Sequence, residues 1–505
     1  MDTLSYFRYS MKSLVLIYSL LLVSFCVNSQ KVFEFNNTCI QSYQEITKLK
    51  IKLGNQITEK ARKQNQENLI PLMLDSYSDF YILFLNENPA DYELLYPLFQ
   101  NRLNQLQEGP KSSPFYLYSQ AILRIQRAAI SVKFGNLWDA GWDFRKAYIL
   151  LKENRKQFPS FTPNDLMYGT LESVIATVPK GYKWLVSILG MKGSLHEGMQ
   201  KVRNYTNSND PLAKLFFNEA SFIYPYLLFF IENKKEEALN FVKQKKLDIV
   251  NNHLNAYMAS NLALNNKEVE LSKLIIQNRN LSDDYLKLSV WDFQMGYAQL
   301  YHLDYIGAKN YFESFTQNFK GKFYVKDVYQ KISWCYYLQG NLKLAEDARK
   351  QVLKKGSTEA DADKKALKDA KANFWPNQLL LKARLLNDGG YHIEAYKLLA
   401  GKSEDDFEKE EDKLEFAYRA ARIYDDLGKK DDAIRNYIIT IRIGINRKEY
   451  FAARAALQIA QIYEARGENG LAIEYYQKCL NMEDHEYKDS LDQRAKSGIA
   501  RCKGE

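Results

Sequence analysis

Five histidines, His196, His253, His302, His392 and His485, are the first residues to weigh for metal or acid–base chemistry. None stands at HxxxH or HxxE spacing with ligand-type neighbours, so zinc or iron chemistry is not indicated. Nucleophilic and phosphate chemistry fare no better: the chain has no GxSxG elbow, no GxxxxGK[ST] loop and no GxGxxG after a strand. The carboxylate pairs Asp425–Asp426 and Asp431–Asp432 flank Gly428. At such helix ends they favour helix starts electrostatically rather than poising an acid and a base. Beyond residue 29 four cysteines remain, Cys39, Cys335, Cys479 and Cys502, with no CxxC pair. A Cys479–Cys502 bridge in an oxidising compartment and four free thiols both stay open. No catalytic residue, cofactor site or metal site is assigned, and the expectation is a protein that is not an enzyme.

What recurs instead is a pattern of shapes. "AYRAARIYDDLGKKDDAIRNYIITI" (417–441) holds Ala421, Tyr424, Gly428, Ala433 and Tyr437. Ala460, Tyr463, Gly467, Ala472 and Tyr476 repeat that order 39 residues on. Ala383, Leu386, Gly390, Ala395 and Leu399 share the offsets, as do Ser333, Tyr336, Gly340 and Ala345. Weaker copies are Gly296, Ala308 and Phe312, and, far upstream, Ala128, Gly135, Ala140, Phe144 and Ala147. The offsets describe two antiparallel helices. Small residues sit where the axes cross. Aromatics three residues later fill the same face. Glycine stops the first helix in a left-handed turn, and residues such as Asn341 and Asp431 start the second. Each pair leaves an apolar face that only stacking can cover.

On these residues the chain resembles the tetratricopeptide repeat family over roughly 290–500. The fold expected is all-α, with stacked helix-turn-helix hairpins forming an α-solenoid. Copies lie 37 to 50 residues apart (296 to 333; 333 to 383), against a usual period of about 34. Long helices are therefore implied, and "KKGSTEADADKKALKDAK" reads as an extended helix end plus a polar insertion. Residues 31–285 read as irregular helical hairpins and 286–505 as the array. Within the first region, "GTLESVIATVPKGYKWLVSILGMKGSLHEGMQKV" carries Gly169, Pro179, Leu185, Leu189, Gly190, Gly193 and Gly198. Over about 115–205 that order is similar to the tetratricopeptide repeat protein 39, or inclusion-body-clearance, family. The resemblance implies lipid handling or protein clearance without an established catalytic residue.

With 505 residues, 46% hydrophobic, only 11 Pro and 23 Gly, the chain can bury a large helical core. "MKSLVLIYSLLLVSFCVNSQ" has the charge, apolar run and polar end of a secretory signal peptide cleaved near Ser29. A lipid anchor at Cys26 and an uncleaved anchor helix are the alternatives. The run Leu14–Val23 is short for a span, which needs about 20 residues. Export to the periplasm or outer membrane of a Gram-negative bacterium of the Bacteroidetes type is expected, whereas the second resemblance points to a eukaryote. The formal charge of +9 is spread among acidic residues, as in "KSEDDFEKEEDK", so nucleic acid is not expected as a partner.

The leading expectation is a non-enzymatic scaffold that holds a protein or peptide partner on its concave face. Arg419, Arg422, Arg454 and Gln458, with Asn377, Lys382 and Arg384 from the preceding unit, are the candidate contacts, and their positive bias points to an acidic partner. Envelope-membrane association would then run through that partner. The alternative is a lipid or hydrophobic-ligand binding protein using the apolar 174–190 segment.

Overall fold

The computed structural model describes residues 30–178 and 190–504. The expected leader, and with it Cys26, lies outside the described residues, as do Pro179, Leu185 and Leu189. The regular structure among the described residues is helical, with one isolated bridge, Val32 to Asn68.

The helices come as hairpins. The first four are α1 Asn37–Thr47 with α2 Ile51–Gln64, α3 Ile70–Asn86 with α4 Pro89–Leu106, α5 Pro114–Lys133 with α6 Leu137–Gln157, and α7 Pro163–Thr177 with α8 Leu195–Thr206. A short α9, Pro211–Leu215, leads to α10 Phe217–Tyr226, a π turn Leu227–Ile231 and α11 Lys235–Gln244. Then follow α12 His253–Asn265 with α13 Val269–Asn278, α14 Val290–Tyr301 with α15 Tyr305–Asn318, and α16 Val325–Leu338 with α17 Leu342–Lys354. A lone α18, Asp361–Ala372, precedes α19 Gln378–Gly389 with α20 His392–Leu399. The chain ends with α21 Glu410–Asp426 and α22 Lys430–Gly444, α23 Phe451–Ala465 and α24 Asn469–Leu480, and α25 Lys488–Lys503. No helix among the described residues is long and apolar enough to cross a membrane.

The repeated shapes do what their offsets require. Ala421, Ala433 and Tyr437, and Ala460, Ala472 and Tyr476, are all fully buried where their helices cross. In ten pairs the backbone turns left-handed between the helices, in eight of them seven residues past a small residue. Leu49, Glu87, Gly135, Asn233, Lys267, Leu303, Gly340, Gly390, Gly428 and Gly467 have φ from +49° to +93°. The same register therefore runs through turns with no glycine. In the first pair the Ser42 hydroxyl donates to the Gly54 carbonyl at 3.0 Å, as Ser333 donates to Ala345 at 2.7 Å in the α16–α17 pair. Asn341 caps α17 by accepting from the Leu344 amide. Asp431 lies in the first turn of α22 and instead pairs with Arg466 at 2.8 Å.

Gly428 is the plainest test of the turn. Its φ is +77° and no heavy atom lies within 4 Å of where a Cβ would be. Gly428→Ala should cost only the left-handed conformation, ~1 kcal/mol. That corresponds to roughly fivefold faster hydrogen exchange of the α21–α22 amides.

Packing in the α7–α8 pair has a different basis. A Cβ on Gly169 would lie 2.7 Å from the Gly198 carbonyl, and one on Gly198 2.4 Å from the Ser173 hydroxyl. These glycines let two helices approach closely, which accounts for them in packing terms alone.

Candidate partner-binding site

The 50-residue spacing between Ser333 and Ala383 holds α18, so the expected extended helix end is a separate helix. α17 stops at Lys354 and a new helix starts at Asp361. Asp363 is fully buried and accepts the backbone N–H groups of Tyr324 at 2.7 Å and Asp327 at 3.0 Å. It thereby caps α16 from outside. Burial pushes the Asp363 carboxyl up to about 6 against those hydrogen bonds. On the opposite side of α18, Lys368 pairs with Glu486, just before α25. The α12–α13 turn closes another edge: Lys267 pairs with Asp426, and a Cβ on Gly390 would lie 2.0 Å from the Lys267 carbonyl. α19 packs on α14, with Leu381 and Leu385 joining Leu300 in one core. The winding thus encloses a hollow of about 560 Å³.

Its lining is aromatic and acidic. Asp327, Asp361, Asp369, Asp388, Asp412, Glu411, Glu415, Glu449 and Glu486 face Lys331, Lys365, Arg349, Arg384 and Arg419. Lys331 pairs with Asp327 at 2.8 Å and lies 4.0 Å from the Trp334 ring centre. Arg349 lies 4.2 Å from the Trp375 ring centre, and Trp375 stacks on Tyr337 at 4.6 Å. Phe374 and Tyr487 are 44% and 45% exposed at this lining, apolar surface left uncovered by the chain itself.

The residues expected to touch a partner fall in different places. Relative to the small residue of each pair, Arg454 and Asn377 are six before, Arg419 and Gln458 two before, and Arg384 and Arg422 one after. A helix puts those three offsets on one stripe. Arg384 and Arg419 line the hollow. Arg422 reaches Asp388 at 3.2 Å, and Gln458 reaches Asp425 at 3.5 Å. Asn377 caps α19, accepting from the Leu379 and Leu380 amides. Lys382 is off the stripe and does not line the hollow.

The expected positive bias is corrected by the partners these cations have. Arg419 is 4% exposed and pairs with Glu415 at 2.8 Å, and Arg384 lies 3.5 Å from Asp388. Burial alone would raise the Asp388 carboxyl, but Arg422, Arg384, Arg419 and Lys267 hold it below its usual range. Outside that lining, burial, then Lys267, Arg494, Arg422 and Arg454, draw Lys235 down to about 8.

Sequence reasoning missed Trp334 and Tyr297 (one after), Lys331 (two before) and Asp327 (six before). Carrying the stripe upstream to Ser333 and Gly296 would have found all four.

Elsewhere the titratable groups are structural. His253 stacks on Tyr285 at 3.7 Å, bonds the Asn280 carbonyl through Nε2, and is lowered to about 4 by burial. No cluster of metal-ligating side chains occurs among the described residues. Cys39, Cys335, Cys479 and Cys502 are free thiols, so Cys479 and Cys502 are not bridged. Burial pushes Cys335 and Cys479 up to about 12, which leaves them unreactive. The alternative ligand segment, 174–190, falls largely outside the described residues.

Residues 453–485 match the tetratricopeptide repeat family. That stretch is the α23–α24 pair, and nine other pairs share its left-handed turn. The match does not reach 115–205. No curated protein matches the chain. Among solved structures it is similar to the crystal structure of the APC/C hetero-tetramer Cut9–Hcn1, at 14% identity over 90% of this chain and 95% of that one, with a TM-score of 0.27. It is also similar to the P58(IPK) TPR domain, at 14% identity over 81% and 94%, with a TM-score of 0.22.

Proposed function

We propose that the protein is an exported, non-enzymatic scaffold that grips a segment of a partner protein in the hollow between α14 and α25. The uncovered rings of Phe374 and Tyr487 beside nine lining carboxylates carry this reading. A segment with lysine or arginine beside apolar side chains meets both features, since cations are held by carboxylates and by aromatic faces. The signal-peptide pattern of residues 1–29 supports export to the periplasm or outer membrane. Reversing Arg419, Arg422 and Arg454 to glutamate would test this poorly, because Arg419 and Arg422 hold neighbouring helices together through Glu415 and Asp388.

Phe374→Ala/Tyr487→Ala removes two exposed rings and leaves the ion pairs intact. Partners captured from envelope extracts by the parent chain should bind this variant about 30-fold more weakly. An unchanged partner set at unchanged affinity would remove the hollow from consideration.

A further inference from the structure

One face of α6 carries large side chains that are about half exposed. Its inner side is fixed: Ala140, Ala147 and Leu151 are buried, and Asp143 receives Arg124 at 2.8 Å and Arg127 at 2.9 Å. On the outer side Trp138, Trp142 and Ile149 are 57%, 48% and 46% exposed. Positions 138, 142, 145–146, 149, 152 and 156 share one helical face. Between and beyond the apolar residues stand Arg145, Lys146, Lys152 and Lys156, with Glu153 the acid among them. The Arg145 guanidinium lies 5.9 Å from the Trp142 ring centre. A groove of about 650 Å³ runs alongside, lined by Arg145, Ile149, Lys152, Glu153 and Lys156 on one side and by Gly190 and Met191 on the other.

We propose that α6 seats the protein directly on an anionic bilayer surface, with Trp138, Trp142 and Ile149 in the interface and the basic side chains on lipid phosphates. Tryptophan with lysine and arginine on one helix face is the composition that rests at the boundary between headgroups and acyl chains. A protein partner fits less well, because protein interfaces are depleted in lysine and this stripe carries three. Arg145, Lys152 and Lys156 line that groove together. The contact lies outside the hollow and leaves it free.

The test uses the full chain and vesicles of phosphatidylcholine with or without phosphatidylglycerol, with brominated acyl chains to quench nearby tryptophan. The apolar run 14–23 can also partition into lipid, so the readings are differences between variants. Adding phosphatidylglycerol should strengthen binding, and Lys146→Glu/Lys152→Glu/Lys156→Glu should weaken it about 100-fold. Its melting curve should be unchanged, since these side chains are exposed. Trp138→Phe/Trp142→Phe should abolish most of the quenching. Equal binding to both lipids, an undiminished triple variant, or quenching that survives in the phenylalanine variant would each overturn the proposal. So would a soluble protein that saturates the stripe in the absence of any vesicle binding.

Discussion

Phe312→Ala is expected to cost the α14–α15 pair about 4 kcal/mol, the usual loss for a buried phenylalanine. The ring is fully buried and makes an edge contact with Tyr297 at 5.4 Å between centroids. It also lies against Gly296, where an added Cβ would come 2.6 Å from the ring. Gly296→Ala should therefore cost ~2 kcal/mol by overpacking, although alanine is the better helix former by ~1 kcal/mol. With Phe312 already truncated, the new methyl enters the cavity and the propensity gain remains. Gly296→Ala should then stabilise by ~1 kcal/mol, a coupling of ~3 kcal/mol between the two sites. A repeat array opens locally, so the reading is hydrogen exchange of the α14 and α15 amides in the four proteins of the cycle. If Gly296→Ala has the same effect with and without the ring, close helix approach is not why a small residue stands there. Tyr297 lines the hollow, so the same variants should also loosen one of its walls.

Legibility in the sequence tracked how local each physical cause is. Ala421, Gly428 and Ala433 announce a crossing, a turn and a second crossing within one hairpin, and all three do so in the fold. The turns at Leu49, Glu87, Asn233, Lys267 and Leu303 are just as left-handed but carry side chains that rarely take that conformation. They were silent because tertiary contacts hold them: Lys267 is pinned by Asp426, and Glu87 pairs with Lys133 at 2.6 Å. α18 looked like a polar insertion because its apolar side is narrow; Ala366 and Asp363 are its buried contacts. In the hollow, the stripe was visible and its charge was not. Arg422 meets Asp388 from a helix 34 residues earlier, and Glu486 reaches back to Lys368, so no local window shows the balance. The α6 stripe needed the fold as well, since only the buried Ala140–Asp143 side shows which tryptophans face outward.

Raising the pH from about 5 to about 8 should lower the stability of the N-terminal body by ~2 kcal/mol through Glu219 alone. Glu219 projects from α10 onto two fully buried phenols, Tyr77 at 3.0 Å and Tyr43 at 3.4 Å. Burial pushes its carboxyl up from an ordinary 4.5 to about 7, against the hydrogen bonds from Tyr77 and Tyr43. The phenols are themselves pushed well up by burial and by Glu219, so they stay protonated and donate. The sign follows from proton counting. Between about 4.5 and about 7 the unfolded chain has released a proton that the folded chain keeps, so stability falls as pH rises through that window. Below it the contribution is fully present. A shift of this size would correspond to ~3 kcal/mol, and the partial solvent contact of Glu219 reduces that to ~2 kcal/mol. Asp363, raised to about 6, adds a loss of the same sign, whereas His253, lowered to about 4, gains stability as pH rises. The informative quantity is therefore the difference between the parent chain and Glu219→Gln. Glutamine cannot ionise and still accepts from Tyr77. Its urea midpoint should match the parent near pH 5 and exceed it near pH 8 by the equivalent of ~2 kcal/mol. A constant offset between the two proteins across that range would mean that Glu219 ionises normally and that the tyrosines around it do not govern its proton.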